Sequence, residues 1–174
     1  IGALIDENGA QLIKDKVAVL GPNDGVKLLT PDGFYTQASI DGAGAASKDM
    51  YASVAGQPIE AFVGVAKEFA DDFSKQYLSG RTPDPYAIYA AQAAQVLLGS
   101  IGESDASRSA VIAKMFASEV TDGLLGSFNF NDNGDPEDAE GAVVGFTIYK
   151  ATTELETETT ISPKPETVTA AAGG

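Results

Sequence analysis

The sequence predicts an α/β fold with a parallel sheet flanked by helices, and three observations carry that reading. Short apolar runs alternate with helix-periodic stretches over residues 1–54, in the order strand, helix, strand, helix, strand. Glycine- and proline-rich breaks separate them: GPNDG at 21–25, TPDG at 30–33 and DGAGAAS at 41–47. The stretch at 82–101, TPDPYAIYAAQAAQVLLGSI, is apolar on nearly every side, with only Gln92 and Gln95 interrupting. A helix with so little polar surface is expected to be buried, with much of the chain packed around it.

Residues 1–5, IGALI, are an apolar run expected to form a buried strand. Asp6 is placed to cap a helix reaching Leu20, with Leu12, Ile13, Val17 and Leu20 at helical spacing. A second strand is expected at 26–29, a short helix at 34–40, and a third strand, alternating in polarity, at 50–54. The pattern then becomes helical. Residues 59–78 put Phe62, Val63, Ala66, Phe69, Phe73 and Tyr77 on one face and Lys67, Glu68, Asp71, Asp72 and Lys75 opposite. Asp84 and Pro85 open the apolar helix as an N-cap and a first-turn proline, whose missing N–H would have no partner there anyway. A further helix is expected at 107–118, and strands at 124–130 and 142–150 around an acidic loop. Residues 152–161, TTELETETTI, read as an exposed edge strand, and 162–174 as a loose tail. The chain begins without an initiator Met or a signal pattern, which is the expectation for a processed or truncated product.

With 174 residues there is room for one domain with a real core, or for pieces of two lobes. The 25 acidic against 11 basic residues leave a net charge of −14, which argues against nucleic acid and anionic membrane surfaces as partners. The absence of Cys and His excludes thiolate nucleophiles, His general bases, the Ser-His-Asp triad and nearly every zinc site. No Gly-rich phosphate loop, Walker A or G-x-S-x-G motif occurs, so the chain offers neither a catalytic set nor a cofactor motif. No apolar run is long enough to span a bilayer.

Ligands of open parallel sheets bind outside the carboxyl ends of the strands. Leu4 and Ile5 end the first expected strand, and Asp32 follows the second, between Pro31 and Gly33 and ahead of Phe34 and Tyr35. A carboxylate there suits a ligand ammonium group, and it equally suits a turn aspartate bonding its own backbone. Tyr86 and Tyr89 sit in the first turns of the apolar helix, where their hydroxyls reach a cleft or find partners in a core. Asn129, Asn131, Asn133, Gly134 and Glu140 fall at positions 1, 3, 5, 6 and 12 of a calcium-loop pattern. Three neutral amides supply little charge, however, and Pro136 intrudes. A hairpin loop on Asn133 and Gly134 accounts for the same residues, so no metal site is expected.

The pieces IDENGAQLIK, VKLLTPDGF, DMYASVAG, AKEFADDFSKQY, TPDPYAIYAAQAAQVLL and LLGSFNFNDNGDP occur in this order. Over residues 1 to about 150 the chain thereby resembles the C-terminal half of type I periplasmic solute-binding proteins, the branched-chain amino-acid-binding (Leu/Ile/Val) family of ABC-transporter receptors. The resemblance implies a flytrap fold of two lobes that close on an amino acid or related small carboxylate. It implies that 1–57 is part of the second lobe, 58–122 the helices of the first, 123–161 strands returning to the second, and 162–174 a tail. Asp32 matches the carboxylate that holds the ligand α-ammonium, and Tyr86 and Tyr89 match the place of a cleft-lining aromatic. Leu4 and Ile5 stand where the family commonly has an aromatic. The implied partners are a membrane permease and a missing N-terminal fragment or a swapped copy, because helices 58–121 have apolar faces and no sheet of their own. The implied location is periplasmic or extracellular, with a lipid anchor as one form. Neither catalysis nor a cofactor is implied. A ligand-sensing regulatory receptor of the same fold is the alternative to transport.

Overall fold

A computed structural model of the chain describes residues 6–137 and 145–161. The strand expected at 1–5 and the tail at 162–174 lie outside the described residues. In chain order the elements are α1 (Asp6–Leu20), β1 (Leu29–Thr30), α2 (Gln37–Ala43), β2 (Tyr51–Ala55), α3 (Gly64–Tyr77), α4 (Tyr86–Gly102) and α5 (Arg108–Phe116). They continue as β3 (Glu119–Gly123), β4 (Gly126–Phe130), β5 (Pro136–Glu137), β6 (Phe146–Ala151) and β7 (Leu155–Ile161). The chain divides into two compact units, one of Ile1–Ala55 with Val144–Gly174 and one of Gly56–Val143. Among the described residues no helix is long and apolar enough to cross a membrane.

In the first unit the α/β reading holds, and the sheet is mixed, in the order β1-β2-β6-β7. β1 and β2 are parallel, whereas β6 and β7 join antiparallel. The parallel pair comes from the strand–helix–strand stretch, which needs a crossover. The antiparallel pair comes from the far end of the chain, where β6 and β7 form a hairpin of their own. β2 shows the alternation its sequence promised, with Ala52 and Val54 buried and Tyr51 and Ser53 only partly so. Ile13, Phe34, Met50 and Ala151 are fully enclosed and form the core between sheet and helices.

The second strand is shorter and later than the expected 26–29. The Lys16 ammonium donates to the carbonyls of Gly21 and Val26 and to Asn23 Oδ1, so the loop's acceptors serve a side chain rather than a ladder. Leu20, at helical spacing with the core residues, is exposed. The short helix begins three residues later than Phe34: a 3-10 turn at Asp32–Phe34 comes first, and Thr36 then caps α2 by accepting the Ser39 N–H.

In the second unit the helix expected at 59–78 is interrupted. A 3-10 turn at Ile59–Ala61 is followed by extended backbone at Phe62 and Val63, and α3 starts only at Gly64, whose φ of +58° no helix interior tolerates. Ala66 and Ala70, with Phe62 and Ile88, make the buried cluster, while Phe69, Phe73 and Tyr77 run as a ladder of rings along α3.

The expectation that the apolar helix is buried is not met. Of α4, only Ile88, Gln92 and Ser100 are buried, and Ala90, Ala93, Ala94, Leu97, Leu98 and Ile101 are exposed. One stripe meets α3, α5 and the β3–β4 turn, and among the described residues Leu97, Leu98 and Ile101 stay exposed. The strand at 124–130 also differs from its reading. β4 pairs with β3, a strand the sequence reading missed, and with the two-residue β5, whereas β6 pairs with β2 and β7. The chain thus stays in its second unit through β5, beyond position 123.

Candidate functional site

Pro31 ends β1 in extended backbone (ψ 179°), and the chain then closes into the single 3-10 turn Asp32–Phe34, whose Phe34 N–H donates to the Pro31 carbonyl at 3.1 Å. The fully buried Phe34 ring anchors this turn from below. Asp32 stays exposed at the carboxyl end of the parallel strand, with Oδ1 accepting the Gly33 N–H at 3.0 Å. That bond fixes the carboxylate's direction, as in an ordinary aspartate turn. The Thr30 hydroxyl donates to the Tyr51 carbonyl at 2.9 Å and the Ser53 hydroxyl to the Thr30 carbonyl at 3.2 Å, so the strand end beneath is rigid.

Of the two aromatics after Asp32, Phe34 belongs to the core, and Tyr35 packs on Tyr149 of β6 with ring centroids 4.2 Å apart. Tyr149 is the neighbour that sequence reasoning missed. The only signal available was the alternation of a strand, which carries no information on which strand lies beside it. A hollow of about 610 Å³ in the same unit is lined by Asp41, Lys48, Asp49 and Thr152, among others. Lys48 and Asp49 precede β2, so this hollow lies at the amino ends of the parallel strands, the wrong end for a ligand in such a sheet. There Asp49 accepts a hydrogen bond from the Lys150 ammonium at 3.2 Å, and with the nearby Tyr51 it raises the Lys150 pKa above its ordinary value.

Tyr86 and Tyr89 share the first turn of α4. Asp84 caps it much as the sequence indicated, Oδ1 accepting the Tyr86 N–H at 2.8 Å and its carbonyl the Ala87 N–H at 2.9 Å. Tyr86 is 37% exposed. Tyr89 is half-buried, its hydroxyl accepting the Gln57 N–H at 3.2 Å and its ring edge-on to Phe62. Asp32 belongs to the other compact unit, and Leu4 and Ile5 lie outside the described residues.

The Asn131 side chain in the acidic loop is spent on a turn. Asn131 Oδ1 accepts the N–H groups of Asn133 (2.9 Å) and Asp135 (3.0 Å), closing the β4–β5 hairpin. Among the described residues no three carboxylates gather as a metal site would need.

No protein-family model matches the sequence, and no curated protein matches it. Solved structures do. A leucine-binding protein, LivK, from Thermotoga maritima is 19% identical with a TM-score of 0.69, over 91% of this chain and 43% of that one. The branched-chain amino acid transporter substrate-binding protein LivJ of Streptococcus pneumoniae, solved with isoleucine, is 13% identical with a TM-score of 0.67, over 93% of this chain and 43% of that one. An ABC-transporter solute-binding protein of R. palustris, solved with benzoate, is 21% identical with a TM-score of 0.60, over 92% and 42%. The chain spans less than half the length of each. Its fold is that of the type I periplasmic solute-binding proteins.

Proposed function

We propose that this chain is part of the extracytoplasmic solute-binding component of an ABC transporter, taking an amino acid or related small carboxylate and handing it to a membrane permease without catalysis. The observation that carries the reading is Asp32: an exposed carboxylate at the carboxyl end of a parallel strand, on a turn anchored by a buried ring. An α-ammonium donates well to a carboxylate so directed, and the Tyr35–Tyr149 pair offers an apolar wall three residues on. Tyr86 is the second candidate contact, and Leu4 and Ile5 are assigned to the ligand's side chain. Closure of the complete two-lobed protein follows from contacts that favour the closed form by differential affinity. We assign the first compact unit to the second lobe and helices α3 to α5 to the first. A further stretch of the same fold completes the protein, in the periplasm or at the outer cell surface.

Titration calorimetry on the assembled protein with leucine, isoleucine, valine and benzoate tests this. Asp32→Ala is expected to weaken amino-acid binding about 100-fold, the loss typical of removing one partner from a desolvated charge pair, and to leave benzoate, which has no ammonium, unaffected. Unchanged amino-acid affinity removes Asp32 from the site. Failure of every one of these compounds to bind overturns the ligand class.

A further inference from the structure

The β4–β5 hairpin carries a chemically labile pair. Asn133 is exposed and stands directly before Gly134, the order in which a side-chain amide carbon and the next peptide nitrogen can close a ring. Gly134 has no Cβ to shield that nitrogen, and its φ of +86° suits a turn. In the closed hairpin, however, the Gly134 N–H donates to the Asn131 carbonyl at 2.9 Å. The Asn131 N–H in turn donates to the Asp135 carbonyl at 2.9 Å. Asn131 Oδ1 accepts the N–H groups of Asn133 and Asp135. One residue therefore closes the turn with both its backbone groups and its side chain. The nitrogen that would attack is held as a donor, and the backbone on either side of Asn133 is fixed.

We propose that Asn133 is a site of spontaneous deamidation, and that Asn131 holds the reaction in check while the hairpin is closed. When the turn opens, the Gly134 nitrogen gives up its proton to hydroxide and attacks Asn133 Cγ. The new N–C bond forms as the Cγ–Nδ2 bond breaks, and the side-chain nitrogen leaves as ammonia. Water then adds to either carbonyl of the resulting succinimide and reopens it, leaving aspartate or isoaspartate at position 133. Each event adds one negative charge to a loop that already holds Asp132 and Asp135. Isoaspartate also carries the main chain through Cβ, one atom longer, so the turn no longer closes in its original register. The rate follows how often the hairpin opens, and needs neither a ligand nor a partner.

Peptide mapping by mass spectrometry of the full chain, incubated at mildly alkaline pH, reads conversion at Asn133 directly. The chain's other Asn-Gly pair, Asn8–Gly9, lies within α1 in the other compact unit and is read in the same samples. Folded wild-type chain is expected to convert Asn133 about a hundredfold more slowly than chain unfolded in urea, because several hydrogen bonds must open together. Asn131→Ala keeps the backbone bonds and loses the two to Oδ1. It is expected to speed conversion at Asn133 roughly thirtyfold, the factor that two lost neutral hydrogen bonds give, and to leave Asn8 unchanged. Ile88→Val thins the buried core of the same unit without touching the hairpin, and is expected to keep the wild-type rate. Equal rates in folded and unfolded wild-type chain overturn the proposal, as does a wild-type rate in Asn131→Ala. Equal acceleration in Ile88→Val overturns it too, by reducing the effect to ordinary loss of stability.

Discussion

Asn23 is 1% exposed and spends its whole side chain on three partners. Its Nδ2 donates to the carbonyls of Ala46 at 2.9 Å and Lys48 at 2.8 Å, and its Oδ1 accepts the Lys16 ammonium at 2.9 Å. The amide thus clasps the loop after α1 to the chain leading into β2, and holds the lysine that keeps residues 21–26 out of the sheet. Asn23→Ala leaves these groups without their buried partner, and we expect a loss of roughly 2–4 kcal/mol in urea denaturation, since unmet buried polar groups cost more than a hydrogen bond gains. A loss under about 0.5 kcal/mol would mean that the loop relaxes to meet water. In the sequence Asn23 is legible as one member of the helix-ending run GPNDG, and that part was right. Its clasp was not legible, because both acceptor carbonyls lie more than twenty residues away and belong to backbone that any residue type supplies. Asp32 is the converse case. Its place at a strand end follows from local turn chemistry, and the structure sets it there, whereas its neighbour Tyr149 depends on the sheet order alone.

At the scale of elements, local signals located helices well and strand partners poorly. α1 runs over Asp6–Leu20, the bounds its sequence indicated, and α5 starts from the Ser107 cap. β3, with Thr, Asp and Gly among its residues and partial burial, carries too little apolar alternation to be recognised. The two glutamines of α4 separate along the same line: Gln92 is 3% exposed and Gln95 is exposed. Gln92 Oε1 accepts the Leu125 N–H at 3.2 Å, and so joins the helix to the β3–β4 turn. Gln92→Leu keeps the side chain's bulk and removes the acceptor. It is expected to cost about 1–3 kcal/mol, the desolvation penalty of the stranded amide, with Gln92→Glu recovering part of it at neutral pH. Wild-type stability in Gln92→Leu would show that the turn's N–H finds water instead, and that α4 and the turn are joined by apolar contact alone.

For the whole molecule, the informative feature is apolar surface that the described residues of its own unit leave exposed. Leu97, Leu98 and Ile101 on α4 and Ile112 and Phe116 on α5 are all exposed, Leu98 to 67%. The sequence showed α4 to be apolar all round, which by itself means burial against something. Composition by itself does not say what covers such a helix; the resemblance implied a missing N-terminal fragment or a swapped copy. The solved structures with this fold are more than twice as long. On that ground we propose that a further stretch of the same fold covers this face, and that a second copy takes its place when the chain is alone. Large exposed apolar patches drive association, and the net charge of −14 opposes it by an amount that salt screens. Sedimentation equilibrium of the isolated chain should therefore show self-association that tightens as ionic strength rises. The double variant Leu97→Lys with Ile101→Lys should abolish it while leaving the far-ultraviolet circular dichroism unchanged, because both positions are exposed within the unit. A chain that stays monomeric at low and high salt would overturn the proposal, and would make α4 a helix that tolerates its apolar face in water.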